Sequence, residues 1–206
     1  MTNDYPIQLD VVSPPHFDRV QLLLRLLLAI ALACFGITAG WLGWTLYALL
    51  PLIAAIAIST EGADAYVSRV GPAIWRVLRW LLELNAYVML VTDRFPTAEG
   101  SSVKIELRAT AKPTVGTALW RLVTSLPSGL VLCLLGVVSS ILCVFAVVLV
   151  LFGAAMPAWI LAYQRGMLRW EARLAAYHAC LVEEYPPFSF DTGAATPPAM
   201  VGAQHT

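Results

Sequence analysis

Hydrophobic and polar positions in this chain separate on a long scale before they alternate on a short one. Residues 26–60 and 122–164 contain no Asp, Glu, Lys or Arg, and every charged residue lies in three stretches around them, 4–25, 61–121 and 165–191. A helix needs roughly 20 apolar residues to cross about 30 Å of hydrocarbon. Each charge-free interval is too long for one crossing and suits two crossings joined by a tight turn. The pattern therefore predicts four spans, at about residues 20–39, 45–59, 119–135 and 141–163. Gly40-Trp41-Leu42-Gly43-Trp44 and residues 136–140 read as the two turns. Glycine permits the bend, and Trp41 and Trp44 suit the membrane–water interface. Pro127-Ser128-Gly129 predicts a kink in the third span.

The short-scale patterns lie outside those intervals. Ile7-Gln8-Leu9-Asp10-Val11 alternates apolar and polar residues, and so does the run from Val103 to Ala109; both predict short strands. Residues 66–92 predict a helix with Arg69, Arg76, Arg79 and Glu83 on one stripe and Trp75, Trp80 and leucines beside it. Such a helix either lies in the interface or packs on its own hairpin. Residues 165–180 repeat the character with Arg165, Arg169, Arg173 and Trp170. The six arginines form a candidate basic face toward anionic headgroups, with a solvated face as the alternative. Trp41, Trp44, Trp75, Trp80 and Trp170 are the candidate interfacial aromatics. Residues 191–206, rich in Ala, Gly, Pro and Thr, predict a disordered tail.

The two halves repeat each other. One constant offset carries Arg79-Trp80 onto Arg169-Trp170, Tyr87 onto Tyr177, Asp93 onto Glu183, Phe95 onto Tyr185 and Pro96 onto Pro186. With a small shift, Ile7-Gln8-Leu9 matches Ile105-Glu106-Leu107, and Arg25 matches Arg121. The expected fold is an all-α membrane protein with four transmembrane helices as two tandem hairpin repeats, plus cytoplasmic amphipathic helices and short strands. Its units are residues 1–98 and 99–190. Two copies with an even number of spans enter the bilayer in the same orientation, so their strands share a side and either pair, with positions 8 and 106 facing, or each contact their own amphipathic helix. All 13 Lys and Arg lie outside the expected turns, so the positive-inside rule puts both termini in the cytoplasm.

Composition agrees with a lipid solvent. The chain is 59% hydrophobic and 13% charged, with mean hydropathy +0.75, where soluble domains carry about 25% charged residues. A net charge of zero gives no basis for nucleic-acid binding. Cys34, Cys133, Cys143 and Cys180 lack metal-type spacing. His16, His178 and His205 fall outside the expected spans, which argues against a transmembrane haem; His178 reads as an interfacial residue. There is no triad, phosphate loop or carboxylate pair on a rigid element, so neither enzyme activity nor a cofactor is expected. Asp93-Arg94-Phe95-Pro96 is the densest local cluster, read chiefly as a helix stop because proline disfavours helix at the residue before it, and otherwise as a docking corner.

Several of these residues also carry a family resemblance. Tyr5-Pro6-Ile7-Gln8-Leu9-Asp10-Val11, Asn85-Ala86-Tyr87 and Thr92-Asp93-Arg94-Phe95-Pro96 resemble the bacterial membrane family called domain of unknown function 4389. Its pattern is an opening YP-x-x-L-x-V, a helical hairpin, an R-W helix and an N-A-Y … L-T-D-R-Y-P-P-F ending. The second half has Ala175 in place of Asn85 but keeps Tyr185-Pro186-Pro187-Phe188. The resemblance spans residues 5–188 and implies a membrane location without a particular activity. The expected location is the bacterial inner membrane. The leading functional expectation is a non-enzymatic accessory or scaffold subunit of a membrane assembly, resting on small-residue-rich spans that permit close packing. A small transporter or lipid-handling protein, and a membrane-surface sensor binding a cytosolic partner, are the alternatives. The expected partners are the lipid bilayer and other membrane proteins or anionic lipids.

Overall fold

The computed structural model describes residues 5–14, 16–34, 39–97, 102–153 and 155–190; the side chains of residues 29, 31–34 and 39–44 lie outside that description. The expected disordered tail, 191–206, also lies outside it. In chain order the elements are β1 (Ile7–Val11), α1 (Arg19–Cys34), α2 (Ala39–Glu61), α3 (Ala63–Ala65), a π-helical turn (Tyr66–Val70), α4 (Gly71–Val88), β2 (Val103–Leu107), α5 (Val115–Thr124), α6 (Leu126–Leu151) and α7 (Ala158–His178).

The first strand forms where the alternation puts it, and the second covers Val103–Leu107 of the run expected to Ala109. They pair antiparallel, with Gln8 opposite Glu106 and Leu9 opposite Ile105. The ribbon is amphipathic: Ile7, Leu9, Val11, Val103 and Ile105 are buried on one face, while Gln8, Asp10, Lys104 and Glu106 are exposed on the other. The buried face covers Leu82 and Ala86 of α4 and Leu168, Ala172 and Ala176 of α7. Three alanines with no exposed surface let α4 and α7 approach closely. Each buried Val, Leu or Ile of this core stabilises by about 1.5–3 kcal/mol.

The helix boundaries differ from the expected spans in an instructive way. Residues 136–140 do not turn; they are the middle of α6. Gly136 and Ser140 are weak breakers, and the Ser140 hydroxyl donates to the Gly136 carbonyl at 2.9 Å, a back-bond that a helix accommodates. The chain leaves the helix later, where Gly153 takes φ +78°, and Pro157 precedes the first turn of α7. The spans expected at 119–135 and 141–163 are thus redistributed over α5, α6 and α7, with α6 continuous through the expected turn, and α6 and α7 form an antiparallel pair. Before α6, the break falls at Ser125, with Pro127 in the first turn of α6, where its missing N–H costs nothing. The kink expected at Pro127 is therefore a helix start.

In the first half, residues 40–44 are also helical, so the expected turn there is corrected as well; residues 35–38, between α1 and α2, lie outside the described residues. The second expected span, 45–59, is the core of a longer helix, α2. The expected helix 66–92 runs from the π-helical turn through α4 and stops at Val88. Among the described residues, one helix, Leu126–Leu151, is long and apolar enough to cross a membrane, and residues 45–61 of α2 form a shorter apolar helix.

Candidate functional site

The polar chemistry of the molecule gathers at the C-terminal ends of α4 and α7. Both ends close in the same way. Leu90 donates to the Tyr87 carbonyl and Val91 to that of Ala86; Cys180 donates to Tyr177 and Leu181 to Ala176. This is the Schellman arrangement, which places the residue after the cap in the left-handed region. Here that residue is not glycine: Leu90 has φ 54° and Cys180 φ 53°, at a cost of about 1–2 kcal/mol each. Burial of both side chains, 1% and 0% exposed, offsets the strain.

A buried arginine from another helix caps each end. Arg25 of α1 donates through Nη2 to the Thr92 carbonyl and, at 2.8 Å, to the Asp93 carboxylate, with its guanidinium 4.4 Å from the Tyr87 ring centroid. Its Nε and Nη1 are buried without a hydrogen-bond partner, against the rings of Tyr87 and Phe17. Arg121 of α5 donates through Nη1 to the carbonyls of Tyr177 and Val182, the latter at 2.8 Å, with its guanidinium 4.4 Å from the Tyr177 ring. A cation at a helix C-terminus complements the dipole and the open carbonyls, and the ring face adds a cation–π contact.

Beside the second cap, His178 bonds the Ser125 hydroxyl, which also bonds Tyr47 and the Arg121 carbonyl. His178 is 2% exposed, so the expected interfacial position is corrected. Burial and then Arg121 lower its pKa to about 4, which keeps the ring neutral. Both members of the Ser125–His178 pair are sealed in the core. Between the caps, Asn85 donates to Glu171 at 2.6 Å. Burial raises the Glu171 carboxyl to about 7, against the lowering effect of the Asn85 bond.

The expected basic face divides. Arg69 is exposed and paired with Glu61, Arg76 is exposed, and Arg79 pairs with Glu83 at 3.0 Å. The second-half arginines turn inward. Arg169 donates to the Leu9 carbonyl at 3.0 Å. Arg173, 4% exposed, donates to the Ser189 carbonyl and stacks near Tyr5, and Arg165 is half-buried. Their burial follows from the packing of α4, α6, the ribbon and the C-terminal segment around α7. Trp170 is likewise corrected from interface to core: it is 4% exposed and meets Phe188 and Phe190 edge-on. Trp75 is half-buried against the core and Trp80 exposed; the side chains of Trp41 and Trp44 lie outside the described residues.

Of the motif residues, Tyr87, Asp93, Tyr177 and Asn85 meet in these networks. Phe95 packs edge-on against Tyr87, Pro96 and Pro186 are buried, and Arg94 is exposed. Tyr185 shares a hydrogen bond with Ser128 at 2.6 Å. Sequence reasoning paired Arg25 with Arg121 in register but missed their role, because a cap is made by residues distant in sequence. It also missed Trp120 and Trp159, 63% and 59% exposed, whose signal was their place at the rims of apolar helices.

Opposite the strands, the surface is apolar. Leu23 and Leu27 of α1, Ile56 of α2 and Trp120 of α5 are more than half exposed, as are Leu134 and Val144 of α6. Among the described residues, no group of His, Cys, Asp and Glu could hold a metal ion.

The fold and its site define a mostly helical protein with arginine-capped helix ends and an extended apolar surface. A family model described as Domain of unknown function (DUF4389) matches residues 116–189, from α5 through the second cap to the C-terminal segment. No curated protein matches the chain, and neither does any solved structure.

Proposed function

We propose that this chain is a non-enzymatic membrane protein, an accessory or scaffold component of an inner-membrane assembly. The observation that carries the reading is the exposed apolar surface of α1, α2, α5 and α6. Monomeric soluble proteins rarely expose contiguous apolar patches above a few hundred Å², and here α6 alone presents Leu130, Leu134, Val137, Ile141, Val144 and Leu151, each at least 47% exposed. Lipid is the solvent that removes this cost. The matching ends of α4 and α7, each with a left-handed residue and a buried arginine over a tyrosine, support descent from a duplicated unit. The charge distribution favours both termini on the cytoplasmic side. The sealing of Ser125 and His178 in the core speaks for packing over chemistry.

Carbonate extraction of membranes from expressing cells tests the location. Retention in the pellet and release by mild detergent are expected, and release by carbonate alone overturns the reading. Native mass spectrometry of the detergent extract separates the functional classes: a stoichiometric protein partner supports the accessory role, and bound lipid without one favours lipid handling.

A further inference from the structure

We infer that α6 lies in the plane of one leaflet and does not cross the bilayer. This rests on the membrane reading above and specifies its mode.

A crossing helix has its two ends on opposite faces of the membrane and a middle surrounded by hydrocarbon or other apolar helices. α6 has the length to cross, about 39 Å at about 1.5 Å per residue, but its neighbours are wrong for it. Its first half runs antiparallel to α7. Tyr163 donates to the Leu135 carbonyl at 2.8 Å, Gln164 donates to the Ser139 carbonyl at 3.0 Å, and His178 meets Ser125 just before the helix begins. Along that stretch α7 carries Arg165, Arg169, Glu171 and Arg173. Were α6 perpendicular to the membrane, those charges would stand at hydrocarbon depth, where ionisable groups are costly.

The second half runs onto the other cap. Ser139 meets Met89, Cys143 meets the Val88 carbonyl, and Val150 packs with Leu22 and Leu90. Gly153, just beyond the helix, lies against the Arg19 side chain: a Cβ there would sit 2.8 Å from its Nη2. The N-terminal end of α6 is therefore held at the C-terminus of α7, and its C-terminal end at the C-terminus of α4. Both anchor points carry a buried arginine and belong to the layer that holds the strands.

The occupant of the outer face is the acyl region of one leaflet. Leu130, Val137, Val144 and Leu151 recur every seven residues and are 58%, 58%, 66% and 47% exposed, a single stripe along the whole helix turned away from the charged layer. Arg19 at the start of α1 and Lys112 just before α5 are exposed and stand where the apolar helices begin, placed for the phosphates of the same leaflet. An amphipathic block of this kind sinks its apolar face to the headgroup–acyl boundary.

The test reads depth along α6. Nitroxide labels at Leu130→Cys, Val137→Cys, Val144→Cys and Leu151→Cys, one per chain, are reconstituted in vesicles of phosphatidylethanolamine and phosphatidylglycerol. Relative accessibility to oxygen and to a water-soluble nickel complex gives each depth. An in-plane helix gives four similar, shallow depths. A profile that deepens by about 15 Å toward mid-helix and rises again, as crossing a hydrocarbon layer about 30 Å thick requires, overturns the inference and leaves the membrane reading intact. Labels that all report bulk water, in chains that float free of the vesicles, defeat the membrane reading itself. Leu134, Ile141 and Val148, on the neighbouring exposed stripe, provide a second set should any label in the first disturb folding.

Discussion

The two helix ends are built on one backbone plan and neutralise their arginines differently. At the end of α4, Arg25 faces a carboxylate: Asp93 accepts from it and from the Asp18 backbone N–H at 3.0 Å. At the end of α7, Arg121 forms no ion pair within 4.0 Å among the described residues. Glu183, at the position matching Asp93, is exposed, and Arg121 rests on two carbonyls and the Tyr177 ring. The contrast teaches that the plan specifies a cation over a tyrosine at a helix C-terminus, while the counter-charge is optional. The dipole and open carbonyls provide enough negative potential for a buried guanidinium, and at the first end a carboxylate that is 17% exposed adds to it.

Removing the arginines sharpens this most. Arg121→Met leaves the buried Val182 carbonyl without its arginine donor, at about 1–3 kcal/mol, and the Tyr177 carbonyl with only its bond from Cys180, at about 1 kcal/mol more, so chemical unfolding in detergent should show a loss of about 3 kcal/mol. Arg25→Met should cost somewhat less, about 2 kcal/mol, because Asp93 reaches solvent and keeps its bond to Asp18. Equal losses at the two caps would show that the carboxylate makes no difference. Adding Asp93→Asn to Arg25→Met should restore part of the loss, since it removes the carboxylate left without its cation; a double-mutant cycle measures that coupling, and strict additivity would count against the ion pair.

Smaller effects come from the titratable groups between and beside the caps. Glu171 titrates near 7 when folded against 4.5 ordinarily. Its folded value is raised, so its stabilisation is complete below pH 4.5 and is lost as pH rises through 7. Glu171→Gln should flatten the stability curve in that window, as followed by melting temperature against pH. His178 has the opposite sign: its folded value, about 4 against 6.5, makes its stabilisation full above 6.5 and lost as pH falls through 4. His178→Gln should remove acid sensitivity near the second cap while leaving the alkaline limb unchanged. The first cap has no counterpart, because Val88 stands where His178 does.

How far the sequence carried can be seen element by element. The first strand was legible to the residue and the second to within two residues of its end, and the pairing of Gln8 with Glu106 was one of two expected arrangements, because alternation is a local signal and the ribbon buries the face that the alternation defines. The separation of apolar and charged segments was legible too, and it reappears as an apolar surface opposite the strands. The turns were not. Gly136 and Ser139-Ser140 resemble a turn only until Ser139 bonds Gln164 inside a packed helix, while Gly153, inside an expected span, takes the positive φ that ends α6.

The second-half arginines and Trp170 carried the same signature as Arg69, Arg76 and Trp80, yet they lie inside, because enclosure depends on which elements pack on α7. By itself, then, the sequence determined which segments are apolar, which carry the charge, and where the alternating strands lie. Only the tertiary structure decided where α6 turns back and which arginines are caps, because a cap or an enclosed helix is defined by partners that lie far away along the chain.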